Sequence, residues 1–260
     1  MVLVPTELSV DRHLAALAAA LTAFVRYADR AGLDAGVPTC PGWTVRDLIA
    51  HQGMVHRWAT SLLRGEKSST DRRDPQAWER AGREAPDPVQ WLRAGAVDLT
   101  RTLTQVPDDV AAPVFLNDAP APRSFWARRQ CHETTVHAVD AQSAALGRPP
   151  KAEEVDWIDA EIAVDGIDEL LGGFLTRRRE RLRTEEEATL VVAPDDAAYW
   201  WEVSIGPRPA LTYRRTGEVD EGDWLLEGPA LDLYLRLWNR GEPPQTPVGD
   251  WRELAAVTWT

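Results

Sequence analysis

SFWARRQCHETTVHAVDAQSAALGR, residues 124–148, is the stretch around which the rest of the chain is organised. It predicts one helix, ended by Gly147 with Pro149 and Pro150 beyond it. Glu133 and His137 are four apart, about 40° around a helix axis. Both side chains leave one face, a turn apart, as two metal ligands on one helix must. The text HETTVH looks like the zinc-peptidase motif HExxH but is one residue longer. In HExxH the histidines are four apart and both bind metal, while the Glu is the general base. Here His132 and His137 are five apart and diverge. The converging pair is Glu133 and His137, so Glu133 reads as a ligand, which argues against a peptidase. The pair also has a plain reading, because Glu and His at i, i+4 are common neighbours on helices without any metal.

A third ligand must come from elsewhere. The chain has five histidines: His13, His51, His56, His132 and His137. The segment TVRDLIAHQGMVHRWATSLLR (44–64) predicts a helix, opened by Thr44 as N-cap with Asp47 three residues on. Val45, Leu48, Val55, Trp58 and Leu62 make its apolar stripe. His51 falls three residues after Leu48 and four before Val55, so it points inward with them. His56 lies about 140° away from His51 and cannot share that direction. An inward histidine is often a core residue bonded to a neighbour. A buried Glu133, however, is costly without a partner, and one divalent metal would satisfy His51, Glu133 and His137 together. Three N/O ligands leave a coordination position open, as in catalytic zinc sites.

Two further helices are expected before residue 150. Residues 7–31 carry Leu14, Leu17, Leu21 and Val25 at helical spacing, and 88–105 carry Val89, Leu92, Ala96, Leu99 and Leu103. The polar run 66–75 and the proline-rich run 107–123 read as connections, the latter crossing the top of a bundle. Residues 1–150 thus predict a metal-binding four-helix bundle. Residues 151–260 predict a smaller α+β domain. It has a helix over 153–175, a solvated helix end at RRRERLR, three strands (188–194, 198–206, 210–215) and a final helix over 228–240. The fold class is mainly α with an α+β second domain.

Composition narrows the partners. A net charge of −12 and a pI near 4.9 argue against nucleic acid or an anionic membrane surface. The acidic balance favours a soluble monomer. No window approaches the ~18 apolar residues of a membrane span. The apolar run 13–25 is preceded by Glu7 and Asp11 rather than the basic residues of a signal peptide. Two cysteines make no disulfide framework, and the cytoplasm is the natural compartment. Cys40 and Cys131 read as packing residues. Asp140, one turn past His137, is either a hydrogen-bond acceptor behind a ligand imidazole or a solvent-facing charge.

VPTCPGWTVRDLIAHQGMVHRWA (37–59), RRQCHETTVHAVDAQSA (128–144) and the late helix GPALDLYLRLWNR (228–240) resemble the mycothiol-dependent maleylpyruvate isomerase family, and the likeness spans nearly the whole chain. The resemblance implies a DinB-like four-helix bundle followed by a small α/β C-terminal domain. It places the family's zinc ligands on His51, Glu133 and His137. A site-forming arginine falls on Arg240, with Arg236 one turn earlier. It implies Zn2+ and mycothiol as cofactors and a small electrophile as substrate. The thiol would displace zinc-bound water and bind as thiolate. In an isomerase that thiolate adds to a conjugated double bond, allows rotation and leaves; in an S-transferase it stays on the product. A cationic Arg240 would bind a substrate carboxylate or a polar part of the thiol. Two other classes stand beside this reading: a metal-dependent hydrolase using zinc-bound water, and a non-catalytic DinB-like binding protein.

Overall fold

The computed structural model of the protein describes residues 8–66, 74–246 and 249–257. Most of the expected connection 66–75, and Glu7 of the first helix, lie outside the described residues. The chain divides into two compact units, one of residues 8–115 and 119–150, the other of residues 116–118 and those from 151 onward. Residues 116–118 of the expected bundle connection therefore group with the second unit. There Asn117 donates its backbone N–H to Gly173 O.

The helical unit contains α1 (Val10–Ala31), α2 (Val45–Leu63), α3 (Pro75–Glu84), α4 (Pro88–Gln105) and α5 (Pro122–Leu146). α5 is its axis, buried from Phe125 to Ser143 on every side. Pro122 sits in its first turn, where a missing N–H costs nothing. Gly147, left-handed at φ 70°, ends it. Arg148 N–H then bonds Ser143 O across the cap, a Schellman turn. α1 lays Leu17, Ala20 and Phe24 into the core. α2 opens with the expected capping box, Thr44 and Asp47 each accepting from the other's backbone N–H.

α3 is a fifth helix that the periodicity did not predict. It buries only Gly82 fully, so it has almost no apolar stripe to read. It is capped by Asp74 and held to α2 by polar contacts. Arg83 pairs with Asp47 at 3.1 Å, and Arg46 donates to Arg83 O at 3.1 Å. Close approach also holds it. A Cβ on Gly82 would stand 2.9 Å from Ala50 Cα, and one on Gly53 would stand 2.0 Å from the Trp91 ring. Trp91 of α4 is seated in this notch with the Arg57 guanidinium 3.7 Å over its ring.

The second unit departs more from expectation. The long helix expected over 153–175 is a 3-10 turn (Ala152–Glu154), then α6 (Ala160–Asp168), then a π-helical turn (Glu169–Phe174). Asp159 caps α6 by accepting from Ile162 N–H, which fixes its late start. The run 177–183 is not a solvated helix end. It folds as turns in which Arg177 and Glu180 are buried against each other as an ion pair, with Leu182 buried beside them in sequence. Charge density alone misread it, because paired charges can be buried where lone ones cannot.

The sheet has four strands: β1 (Ala188–Pro194), β2 (Tyr199–Ile205), β3 (Leu211–Thr216) and β4 (Trp224–Gly228). Their order is β3-β2-β1-β4, with β1–β2 and β2–β3 antiparallel and β1–β4 parallel. β4 was not expected. It is five residues long and its pairing with β1 is set by tertiary return rather than by a hairpin. The expected final helix is shorter, α7 (Ala230–Leu237), and the short α8 (Trp251–Leu254) follows it. Asn239 at φ 61° and the bond from Arg240 N–H to Leu235 O close α7 in another Schellman turn. No helix among the described residues is long and apolar enough to cross a membrane.

Candidate metal centre

α5 is unusual for a core helix because its buried surface includes Arg129, Glu133, His137 and Asp140. Such a helix is stable in a core only if each polar group finds a partner. Helical spacing supplies the first ones. Arg129, Glu133 and His137 succeed one another at i, i+4 and i+8. Arg129 Nη2 donates to Glu133 Oε2 at 2.8 Å, and His137 Nε2 lies 3.3 Å from Glu133 Oε1. α2 supplies the next. His51, half-buried on its inner side, brings Nε2 to 3.5 Å from Glu133 Oε1. The ligand atoms of His51, Glu133 and His137 all lie within 4.8 Å of one another.

Asp140 is fully buried, one turn beyond His137, with Oδ2 2.8 Å from His137 Nδ1. An ionised carboxylate only accepts, so the imidazole carries its proton on Nδ1, and in the neutral ring this turns the Nε2 lone pair toward Glu133 and His51. The turn before α2 closes around Asp140. Thr39 donates its hydroxyl to Asp140 Oδ1 at 2.5 Å and Cys40 its thiol to Oδ2 at 3.3 Å. Cys40 is therefore not the buried packing residue expected. It is half-exposed and faces a carboxylate. Trp43 of the same turn covers the two imidazoles, its ring 5.0 Å from His51 and stacked at 6.3 Å on His137.

The charges act on one another. Burial alone would raise the Glu133 carboxyl. Its polar contacts with His137 and His51 and the Arg129 charge outweigh that and hold it well below the usual range. Burial would likewise depress His137, but Asp140 and Glu133 push it up to about 9. Glu133 is therefore an anion at neutral pH, as a metal ligand must be, whereas His137 is a cation in the metal-free protein and would release its Nε2 proton on binding a metal.

Two features of this structure fit a divalent ion. Donors about 2.0–2.2 Å from a tetrahedral ion stand roughly 3.3–3.5 Å apart, set by the bond lengths of Zn–N and Zn–O. The separations from Glu133 Oε1 to the two imidazoles are 3.3 and 3.5 Å. In addition, Glu133 Oε1 is buried without a hydrogen-bond partner. This oxygen and the two imidazole nitrogens lie within 4.8 Å of one another, close enough for one ion to bind all three.

Within the helical unit the other sequence candidates fall elsewhere. His132 leaves α5 on another side and meets His13 edge to face at 6.3 Å. Cys131 is buried. His56 is fully buried, with Nε2 2.8 Å from Gln52 Nε2 and 3.0 Å from Thr134 Oγ1. Arg240 belongs to the second unit, just past α7, where Nη1 donates to Trp238 O at 2.9 Å. Sequence reasoning missed Arg129, Thr39 and Trp43. The i, i+4 spacing of Arg129 before Glu133 was a readable signal, whereas the contacts from Thr39 and Trp43 to α5 cross about a hundred residues of chain and left none.

Comparison with known proteins places the chain by family and by fold. Residues 14–142 match the mycothiol maleylpyruvate isomerase N-terminal domain, and residues 161–257 match the corresponding C-terminal domain, MDMPI C-terminal. Among solved structures, the mycothiol-dependent maleylpyruvate isomerase matches with a TM-score of 0.58 at 14% identity, over 92% of this chain and 93% of its own. A histidine-to-alanine mutant of that isomerase matches with the same TM-score at 13% identity, over 93% and 94%. At that identity the structural likeness is one of fold, a DinB-like bundle with a small α/β partner domain. No curated protein sequence gives a significant match.

Proposed function

We infer the function from one premise: the chain belongs to the mycothiol-dependent maleylpyruvate isomerase family, whose two domain models together match most of it. It is an enzyme that uses a divalent metal, zinc, and a low-molecular-weight thiol, mycothiol, to isomerise a small conjugated electrophile. The observation that carries this reading is the convergence of His51, Glu133 and His137 on one point, with Glu133 Oε1 buried between two imidazoles. When bound there, zinc supplies a Lewis acid that makes a thiol ionise at neutral pH.

The chain's own residues do the rest. His51, Glu133 and His137 hold the metal and leave its remaining positions free. Asp140 fixes the tautomer and direction of His137 and raises its basicity. Thr39 and Cys40, by donating to Asp140, hold that carboxylate in place and tie the start of α2 to α5. Trp43 gives the cluster an apolar wall, which limits water around a reactive sulfur. Arg240 is assigned to a carboxylate of the substrate or a polar part of the thiol on family resemblance alone. Two cysteines that form no disulfide suit a reducing cytoplasm.

Metal analysis of the purified protein beside His51→Ala and Glu133→Ala variants tests the centre. Wild type is expected to retain zinc near one equivalent and the variants to lose it; equal zinc in all three would end the metal reading. Mass spectrometry of reactions with maleylpyruvate and other conjugated electrophiles, with and without mycothiol, tests the chemistry. An isomer returned free of thiol, and only when mycothiol is present, is the expected result. A stable thiol adduct would make the enzyme an S-transferase, and turnover without thiol a hydrolase or another metal enzyme.

A further inference from the structure

We propose that Arg129 is a positioning residue that limits Glu133 to one metal-binding oxygen and so reserves the open coordination positions for an incoming ligand. The inference rests on the metal reading above. Arg129 is completely buried, one turn before Glu133 on α5, and its Nη2 donates to Oε2 at 2.8 Å. The other oxygen, Oε1, is the one facing His137 and His51. The two oxygens of one carboxylate are thus divided between a guanidinium and the metal-binding point.

Stability alone does not require this arrangement. Burying a guanidinium costs desolvation, and a well-packed apolar side chain at the same place is commonly as stabilising as a buried ion pair. A carboxylate near a divalent ion can bind through one oxygen or two. Binding through both would fill a position that a catalytic site keeps open. The charge-assisted hydrogen bond from Arg129 opposes that rotation, because Oε2 would have to leave a buried cation to reach the metal. A lysine, with a single compact ammonium, would hold the carboxylate less rigidly than the planar guanidinium does.

The test uses the full-length protein loaded with cobalt(II), as wild type, Arg129→Met and Arg129→Lys, with folding checked by circular dichroism. The visible spectrum of cobalt reads its coordination number, and titration with 2-mercaptoethanol reads the open position through the sulfur-to-cobalt charge-transfer band. Arg129→Met is expected to keep cobalt but show a higher coordination number and a thiol Kd at least tenfold weaker. Arg129→Lys should fall between it and wild type. Variants that hold cobalt with the spectrum and thiol Kd of wild type would overturn the role of Arg129 and leave the metal reading standing. A wild type that takes up no cobalt or zinc would overturn both. If neither variant folds, a structure of the cobalt-loaded wild type decides: Glu133 bound through one oxygen supports the proposal, and Glu133 bound through both overturns it.

Discussion

His137 and His56 are both buried in the helical unit, and their surroundings push them in opposite directions. His137 lies between Asp140 and Glu133 and is pushed up to about 9. His56, one helix away, is lowered to about 3, first by burial and then by the charge of Arg57. Its hydrogen-bond partners, Gln52 and Thr134, are neutral. Equal burial therefore does not make equal histidines; the difference is a carboxylate within bonding reach. The first environment is built to hold a charge and the second to exclude one, and only the first collects metal donors.

The largest break of that contrast is Glu133→Gln. The amide keeps the shape and loses the charge. Zinc affinity is expected to fall by more than about a hundredfold, beyond the loss typical of outer partners, as read by chelator competition. In the metal-free variant, His137 should titrate below its wild-type value, followed by NMR. Unchanged zinc affinity would mean that Glu133 is not a ligand.

Asp140→Asn should act in the same sense and more weakly. Loss of the carboxylate behind His137 is expected to cost about 10–100-fold in zinc affinity, with the metal still bound at saturating concentration. No change would reduce Asp140 to packing.

Gly53→Ala sharpens the contrast by disturbing α2 away from the donor cluster. The new methyl would drive into the Trp91 ring. Overpacking of this kind costs about 1–3 kcal/mol, expected as a lower denaturation midpoint with zinc stoichiometry unaltered. A zinc defect in this variant would show that the two sides of α2 are coupled.

The smallest effect is the pH dependence of His56. Its folded pKa lies below the unfolded value of 6.5. Above pH 6.5 both states are neutral there and it contributes no slope. Below it, the unfolded chain takes up a proton that the folded chain refuses, so stability falls toward pH 3. The slope approaches about 1.4 kcal/mol per pH unit for one such group. Denaturation between about pH 6 and 5 reads it best: there His137, raised to about 9, is protonated in the folded state and increasingly so in the unfolded one, and Glu133, whose pKa is depressed, contributes its own loss only below its unfolded value near 4.5. His56→Gln should flatten that interval, and an unchanged slope would assign it to other groups.

The sequence by itself determined what one helix can fix. Glu133 and His137 share a face of α5, His51 turns inward on α2, and Thr44 and Gly147 mark helix ends. All follow from 100° per residue and from local capping chemistry. A strand's alternation likewise placed β1 to β3. Only the tertiary structure decided which elements meet. It brought Thr39 and Cys40 onto Asp140, set Trp43 over the imidazoles, and left His56 among neutral partners. In the second unit it returned β4 parallel to β1 and turned the expected long helix into a short one with a π-helical end. Most of these contacts join residues some thirty to a hundred positions apart. No periodicity relates such residues, so their meeting is fixed by how buried surfaces pack, and a buried charge survives only where that packing supplies its partner.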